Sequence, residues 1–175
     1  GKMAAMTRDG PTAMVQSAQT TAEYTAWIDA ITGTIGRPHL PDVEITSIDD
    51  YRAHGGYQAL RAAHELGPGG VIDVVTEAKL LGRGGAAFPT GVKWQAVSTQ
   101  PAGPRYVVCN ADESEPGTFK DRVVMEQDPF AVVEALTIAG FACGAEEGFV
   151  YVRGEYPLAT ERLHERFAPL EGAAR

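Results

Sequence analysis

RYVVCNADESEPGT (residues 105–118) and GFVYVR (148–153) decide the fold. Each opens with a short apolar, β-branched run and ends in polar residues, as a buried parallel strand does when it delivers a loop. Between them lies DPFAVVEALTIAGFACG (128–144), with Asp128 as an N-cap and Pro129 in the first turn of a long helix. That helix is expected to bury Phe130, Val133, Leu136 and Phe141 and to stop at Gly144. Pro157 opens a final helix carrying Leu158, Leu163 and Phe167. Strand, loop, helix, strand, loop, helix predicts an α/β layer with a parallel pair and a right-handed crossover.

Upstream, DDYRAHGGYQALRAAHEL (49–66) reads as a turn into a helix with Tyr57, Leu60 and Ala63 or His64 inward, ended by Gly67, Pro68, Gly69 and Gly70. VIDVVTEAKLL (71–81) gives a second helical stripe, Val71, Val74, Val75, Ala78 and Leu81, ending at Gly82. Further back, TAEYTAWIDAITGT (21–34) sets Tyr24, Trp27, Ile28 and Ile31 on one face of a short amphipathic helix, and the prolines of GRPHLPD (36–42) end it. Residues 1–20 have no useful periodicity, and at least the first ten are expected to be unstructured. The chain divides into an N-terminal extension, 1–47, and a domain portion, 48–175.

Composition narrows the function. With 44% hydrophobic and 22% charged residues the chain is globular, and its net charge of −8 repels nucleic acid without a basic stripe to compensate. The most apolar stretch, 129–145, is short and carries Glu134 near its centre, so no membrane insertion is expected. The N-terminus lacks the apolar region of a signal peptide, and a cytoplasmic protein is the expectation. Two cysteines, Cys109 and Cys143, cannot build a zinc or four-iron site, and Cys109 at a strand end suits a reduced, small hydrophobe. His39, His54, His64 and His164 show no metal-ligand spacing, so no metal site is expected.

Two loops carry the chemistry. GRGGAAFPTGVKW (82–94) holds Gly82, Gly84, Gly85 and Gly91, which allow positive φ and close approach of backbone N–H groups to an anion. Arg83 and Lys93 supply local positive potential, and Phe88 is placed to stack on a flat ring. Read from pattern alone, the segment is either a phosphate or dinucleotide loop or a turn-rich connection with solvated cations. GRGGAA satisfies the relaxed G-x-G-x-x-A form, yet a helix precedes it where that fingerprint requires a strand. CNADESEPG (109–117) sets Asn110, Asp112, Glu113, Ser114 and Glu115 at the carboxyl end of a strand, where open α/β sheets bind ligands. These groups suit ribose or ribityl hydroxyls and a flavin imide; a divalent cation or a plain capped acidic loop remain as alternatives.

Taken in order, GRGGAAFPTGVKW, RYVVCNADESEPGT, KDRVVMEQDP and VRGEYP, with DYRAHGGYQAL upstream, resemble the NADH-binding, FMN-containing flavoprotein subunits of respiratory complex I and of NAD-linked hydrogenases and formate dehydrogenases. The likeness runs from about Ile48 to Leu170. It implies a Rossmann-like parallel sheet with flanking helices, here incomplete and preceded by a helical lead-in. It also implies FMN and NAD(H) as cofactors, transfer of a hydride between them, and electrons passed to iron–sulfur partner subunits. Such a protein is cytoplasmic or lies peripherally on the inner face of a membrane through its complex. By the same resemblance Gly82, Arg83, Gly84, Gly85 and Ala86 line the FMN and dinucleotide phosphates, Phe88 stacks on the nucleotide and Lys93 holds a phosphate. Asn110, Asp112 and Ser114 serve the flavin, while Glu113 and Glu115 sit at the flavin and nicotinamide edges as the catalytic pair.

The chain departs from the family pattern at Ala87, which replaces a glycine, at Leu81, which replaces an arginine, and at Ala96, which replaces a second aromatic. The last favours the hydrogenase or formate dehydrogenase style of relative. Members also continue into a second flavin loop, a ubiquitin-like domain and a cysteine-rich end holding a four-iron cluster, for which this chain has no ligands. A fragment, a short subunit completed by another chain, and a structural or assembly subunit that keeps the fold but lacks flavin and activity are the expectations left open.

Overall fold

The computed structural model describes residues 2–6, 45, 47–82, 86–101 and 103–173, with backbone alone for 2–6 and 166–173. The elements are β1 (Lys2–Met6), α1 (Ile48–Ala53), α2 (Gln58–Glu77), α3 (Thr90–Ser98), β2 (Tyr106–Ala111), α4 (Lys120–Gln127), α5 (Pro129–Cys143), β3 (Glu147–Val152) and α6 (Pro157–Ala173). The strands form one parallel sheet in the order β1-β3-β2. Tyr106 pairs with Glu147 and the register runs on to Ala111 and Val152, so the loops after β2 and β3 leave the same edge.

The α/β parallel architecture read from the sequence is the observed one, with one correction. Lys2–Met6, inside the stretch expected to be unstructured, is a third strand paired with Glu147–Tyr151. Five residues give too short a run for alternation to register as a pattern. The amphipathic helix expected over 21–34 lies outside the described residues.

Helix α5 is the centre of the molecule. Asp128 accepts the Ala131 N–H at 3.1 Å, Pro129 occupies the first turn, and Gly144 at φ 69° ends the helix, as the sequence indicates. Its apolar residues run all round the helix because both sides are covered. One side joins Phe130, Val132, Val133 and Leu136 to Val150 and Val152 of the sheet and to Ala159 and Leu163 of α6. The other joins Ile138, Ala139, Ala142 and Cys143 to Ala59, Ala63, Val71 and Val75 of α2 and to Trp94 of α3. The composition of α5 therefore reflects burial in protein; no described helix is long and apolar enough to cross a membrane.

The segment 49–66 holds α1 and the first half of α2, and 71–81 supplies the second half of α2, the two halves meeting at a kink at Gly67, whose φ of 74° is not helical. The second half ends sooner than its apolar stripe suggests. Lys79 turns to φ 53°, Leu80 is buried, and Leu81, expected inward, is exposed. Leu158 is likewise exposed, whereas Leu163 is fully buried.

Candidate functional site at the carboxyl edge of the sheet

Where β2 ends, the chain must leave the sheet without losing the positions of its polar residues. Asn110 begins this with an Asx turn, its Oδ1 accepting the Asp112 N–H at 3.2 Å. Four residues on, Glu115, Pro116, Gly117 and Thr118 close a turn. The Thr118 N–H donates to the Glu115 carbonyl at 3.1 Å, and Gly117 takes φ 79°, which a proline-led type II turn requires at that place. Between these turns Ser114 Oγ donates to Asp112 Oδ2 at 3.4 Å. Asp112 is half-buried, and Ser114 and Glu115 are exposed. The loop thus displays an alternating set of acceptors and a hydroxyl at the edge where parallel sheets take ligands.

Glu113 behaves differently from its neighbours. It is 0% exposed, and its carboxylate lies under the first turn of α4, accepting the Asp121 N–H at 3.2 Å and the Arg122 N–H at 3.4 Å. Lys120 Nζ donates to it at 3.1 Å and to Asp121 at 2.8 Å, and the Tyr156 hydroxyl donates at 3.3 Å. Phe119, the N-cap of α4, provides no side-chain cap, so Glu113 supplies the acceptor that the free N–H groups need. The sequence puts Glu113 at the flavin and nicotinamide edges, and the structure adds that its carboxylate is engaged by α4, Lys120 and Tyr156. All its capacity is spent inside the protein, and it anchors the loop that carries Asp112 and Ser114.

Burial pushes the Asp121 carboxyl up, against the opposing pull of Lys120. Burial first, and then the Glu113 carboxylate, push the Tyr156 phenol up. Arg153, just past β3, donates to the main-chain carbonyl of Glu113 and forks onto Glu155 at 3.1 and 3.0 Å. Neither Lys120, Asp121, Arg153 nor Tyr156 stands out in the sequence as a site residue. Their only signal is position next to the quoted loops, in KDR and RGEY.

The two ends of the glycine-rich segment are tied together. The Gly82 N–H donates to the Phe88 carbonyl and the Thr90 N–H to the Leu80 carbonyl, both at 2.8 Å, around a Leu81–Pro89 bridge. Arg83, Gly84 and Gly85, between these ends, lie outside the described residues. Ala86 is exposed and Phe88 is 50% exposed, its ring unclaimed by the cores. Ala87 holds φ 47°, the left-handed region that a glycine enters freely and an alanine does not.

Gly91 has another reason to be glycine than the one expected. It is buried in α3, and a Cβ there would stand 2.0 Å from Thr76 Oγ1 of α2. The missing side chain lets α3 pack closely on α2. Lys93 is exposed in the first turn of α3, a helix that the sequence hides inside the loop because nine residues show no clean apolar stripe.

The segment that folds this way, residues 75–174, matches the model of the Nuo51 FMN-binding domain family. This chain belongs to that family. Among its relatives, an NADH-quinone oxidoreductase subunit of Aquifex aeolicus is 54% identical over 121 residues, which cover 69% of this chain and 28% of the relative. The NADP-reducing hydrogenase subunit HndC of Solidesulfovibrio fructosivorans is 50% identical over 121 residues, 69% of this chain and 24% of that one. A crystal structure of NAD+-reducing [NiFe]-hydrogenase in the H2-reduced state aligns with a TM-score of 0.57 at 40% identity, over 65% of this chain and 20% of the hydrogenase chain. The air-oxidised state aligns over 91% of this chain and 24% of that chain, with a TM-score of 0.59 at 31% identity. This Nuo51-family chain thus spans less than a third of the length of these relatives.

Proposed function

We propose that residues 48–175 are the N-terminal part of an FMN- and NADH-binding domain, the electron-entry module of a larger NAD-linked complex. One observation carries the reading: a pinned loop at the carboxyl edge of a parallel sheet displays Asp112, Ser114 and Glu115 outward. The chemistry of that set fits a flavin. Carboxylate and amide acceptors suit ribityl hydroxyls and an imide N–H, and the Ser114 hydroxyl can donate or accept.

Bound FMN would accept a hydride from NADH and release electrons singly to iron–sulfur partner subunits. In this reading Asn110, Asp112 and Ser114 hold the ribityl and ring-edge polar groups of the flavin. Glu115 faces the nicotinamide nucleotide and orients it. Glu113 acts indirectly, by fixing its neighbours. The family resemblance assigns the phosphates to Gly82, Arg83, Gly84, Gly85 and Ala86, and Lys93 adds a cation at the start of α3, where the helix dipole also favours an anion. The half-exposed Phe88 offers a face for an aromatic ring. The names of the relatives, subunits of oxidoreductases and a hydrogenase, support the partner assignment, with a cytoplasmic or complex-mediated, membrane-peripheral position.

Titration of FMN into the purified protein tests this, and quenching of flavin fluorescence with a saturable endpoint is expected. A colourless protein that leaves added FMN unquenched would sink the proposal. A second reading, a structural or assembly subunit without flavin, draws support from Ala87, held at φ 47° where the family pattern it resembles has glycine. NADH-dependent reduction of ferricyanide by the FMN-supplemented protein would dispose of that second reading.

A further inference from the structure

The acidic loop is held from two directions, and only one of them is explained by helix capping. From below, the Glu113 side chain is fixed by α4, Lys120 and Tyr156. From the side, Arg153 reaches over from the end of β3 and donates to the Glu113 main-chain carbonyl, 40 residues away in sequence. The last register pair of the two strands is Ala111 with Val152, so Arg153 occupies the first position at which the sheet no longer holds the loop.

The guanidinium is itself held. Glu155 takes Nε and Nη2 in a two-point fork, and the Tyr156 ring lies 5.5 Å beneath its central carbon. With the fork committed to Glu155, the remaining Nη1 is aimed at the Glu113 carbonyl. A lysine carries the same charge but cannot make a planar fork and a third directed bond together.

We propose that Arg153, held by Glu155, is a positioning residue for the flavin site. By gripping the Glu113 carbonyl it sets the direction in which Asp112 and Ser114, the residues on either side, present their oxygens. This rests on the flavin reading of the loop. Pinning the backbone in advance removes the ordering cost from ligand binding, because each residue fixed on binding would otherwise lose conformational freedom at that moment.

The test compares the wild-type protein with Arg153→Lys and Glu155→Gln, and with Leu163→Val as a core variant that lowers stability away from the loop. Amide hydrogen exchange over residues 112–118 is read without flavin, and FMN affinity and the visible circular dichroism of the saturated flavin are read with it. Arg153→Lys is expected to speed exchange in the loop, weaken FMN about tenfold, the usual worth of one charge-assisted hydrogen bond, and alter the dichroism of the bound flavin. Glu155→Gln should do the same to a smaller extent, and it carries the test if Arg153→Lys does not fold. Leu163→Val should lower the melting temperature and leave the dichroism of bound flavin unchanged. Unchanged loop exchange in both loop variants, or unchanged flavin affinity and dichroism, overturns the proposal. Wild-type protein that takes up no FMN overturns the flavin reading instead, and the exchange arm still reports whether Arg153 holds the loop.

Discussion

The Glu134 carboxylate, in the middle of α5, accepts the main-chain N–H of Leu60 at 2.9 Å, 74 residues away in sequence. Its other oxygen accepts the Tyr57 N–H at 2.9 Å and the Tyr51 hydroxyl. Tyr57, the N-cap of α2, is in the left-handed region and its side chain caps nothing, so the helix starts against a carboxylate delivered by a different element. An acidic residue buried at the centre of an apolar helix is tolerated because three donors converge on it.

Glu134→Ala is expected to leave those donors without a partner and to cost about 3–5 kcal/mol, as loss of one member of a buried charged network does. Glu134→Gln, which keeps one acceptor oxygen, should cost about half as much. Urea denaturation followed by circular dichroism measures both. Equal stability of Glu134→Ala and wild type would show that the cap is dispensable.

Glu113 and Glu115, two residues apart, should respond in opposite ways. Glu113→Ala takes from Lys120 one of its two buried carboxylates, leaves the first N–H groups of α4 without their acceptor, and is expected to cost about 3 kcal/mol of stability. Glu115→Ala removes an exposed side chain and should shift stability by less than about 0.5 kcal/mol, while weakening NADH binding. Thermal melts and nucleotide titrations on the two variants separate an anchor from a ligand contact.

Gly91→Ala places a methyl carbon 2.0 Å from Thr76 Oγ1 and 3.0 Å from the Thr76 Cα, so two helix backbones must move apart. The overpacking is expected to cost about 1–3 kcal/mol, read as a lowered denaturation midpoint with an unchanged slope.

Ala87→Gly should break the usual rule. An alanine-to-glycine change ordinarily destabilises through chain entropy, by about 0.5–1 kcal/mol. Here the φ of 47° already charges alanine about 1–2 kcal/mol for the left-handed region, so the variant is expected to be as stable as wild type or up to about 1 kcal/mol more stable. A melting temperature lowered by several degrees would contradict this.

Both thiols should be slow to react in the folded protein. Burial pushes Cys109 up to about 12 from its ordinary 9.0, and burial pushes Cys143 up to about 11 although Arg105 pulls it down. Near pH 8 the thiolate fraction of the half-buried Cys109 then falls by about a thousandfold, and a disulfide reagent should label it far more slowly in the folded protein than in the unfolded one. The linked effect on stability has a definite sign. Below the unfolded value of 9.0 both states hold the proton and stability is complete. As pH rises from there toward 12, the unfolded chain releases its proton first and stability is lost. Unfolding midpoints of wild type and Cys109→Ala, compared across that window, should converge as pH rises.

Much of this molecule was legible in its residues. Asp128 and Pro129 at one end and Gly144 at the other delimit α5 by local chemistry that needs no tertiary partner, and the β-branched runs of β2 and β3 bracket it. The loop after β2 was equally visible, because Asn110 and the Pro116–Gly117 pair build their turns from neighbours in sequence. What escaped was short or non-local. Helix α3 has too few residues to reveal a face, and β1 is five residues placed by pairing to β3, far off in sequence. Leu81 fits the helical stripe on paper, yet the chain turns at Lys79 before reaching it.

The sequence by itself determined the α/β order, the central helix and the two loops, since propensity, capping and turn formation act over a few residues. Only the tertiary structure decided what the acidic groups do. Glu113, Glu115 and Glu134 are the same residue type, but their surroundings make the first a helix anchor, leave the second exposed on the loop and make the third a cap for a distant helix. A carboxylate takes its role from the donors around it, and those donors come from parts of the chain far apart in sequence.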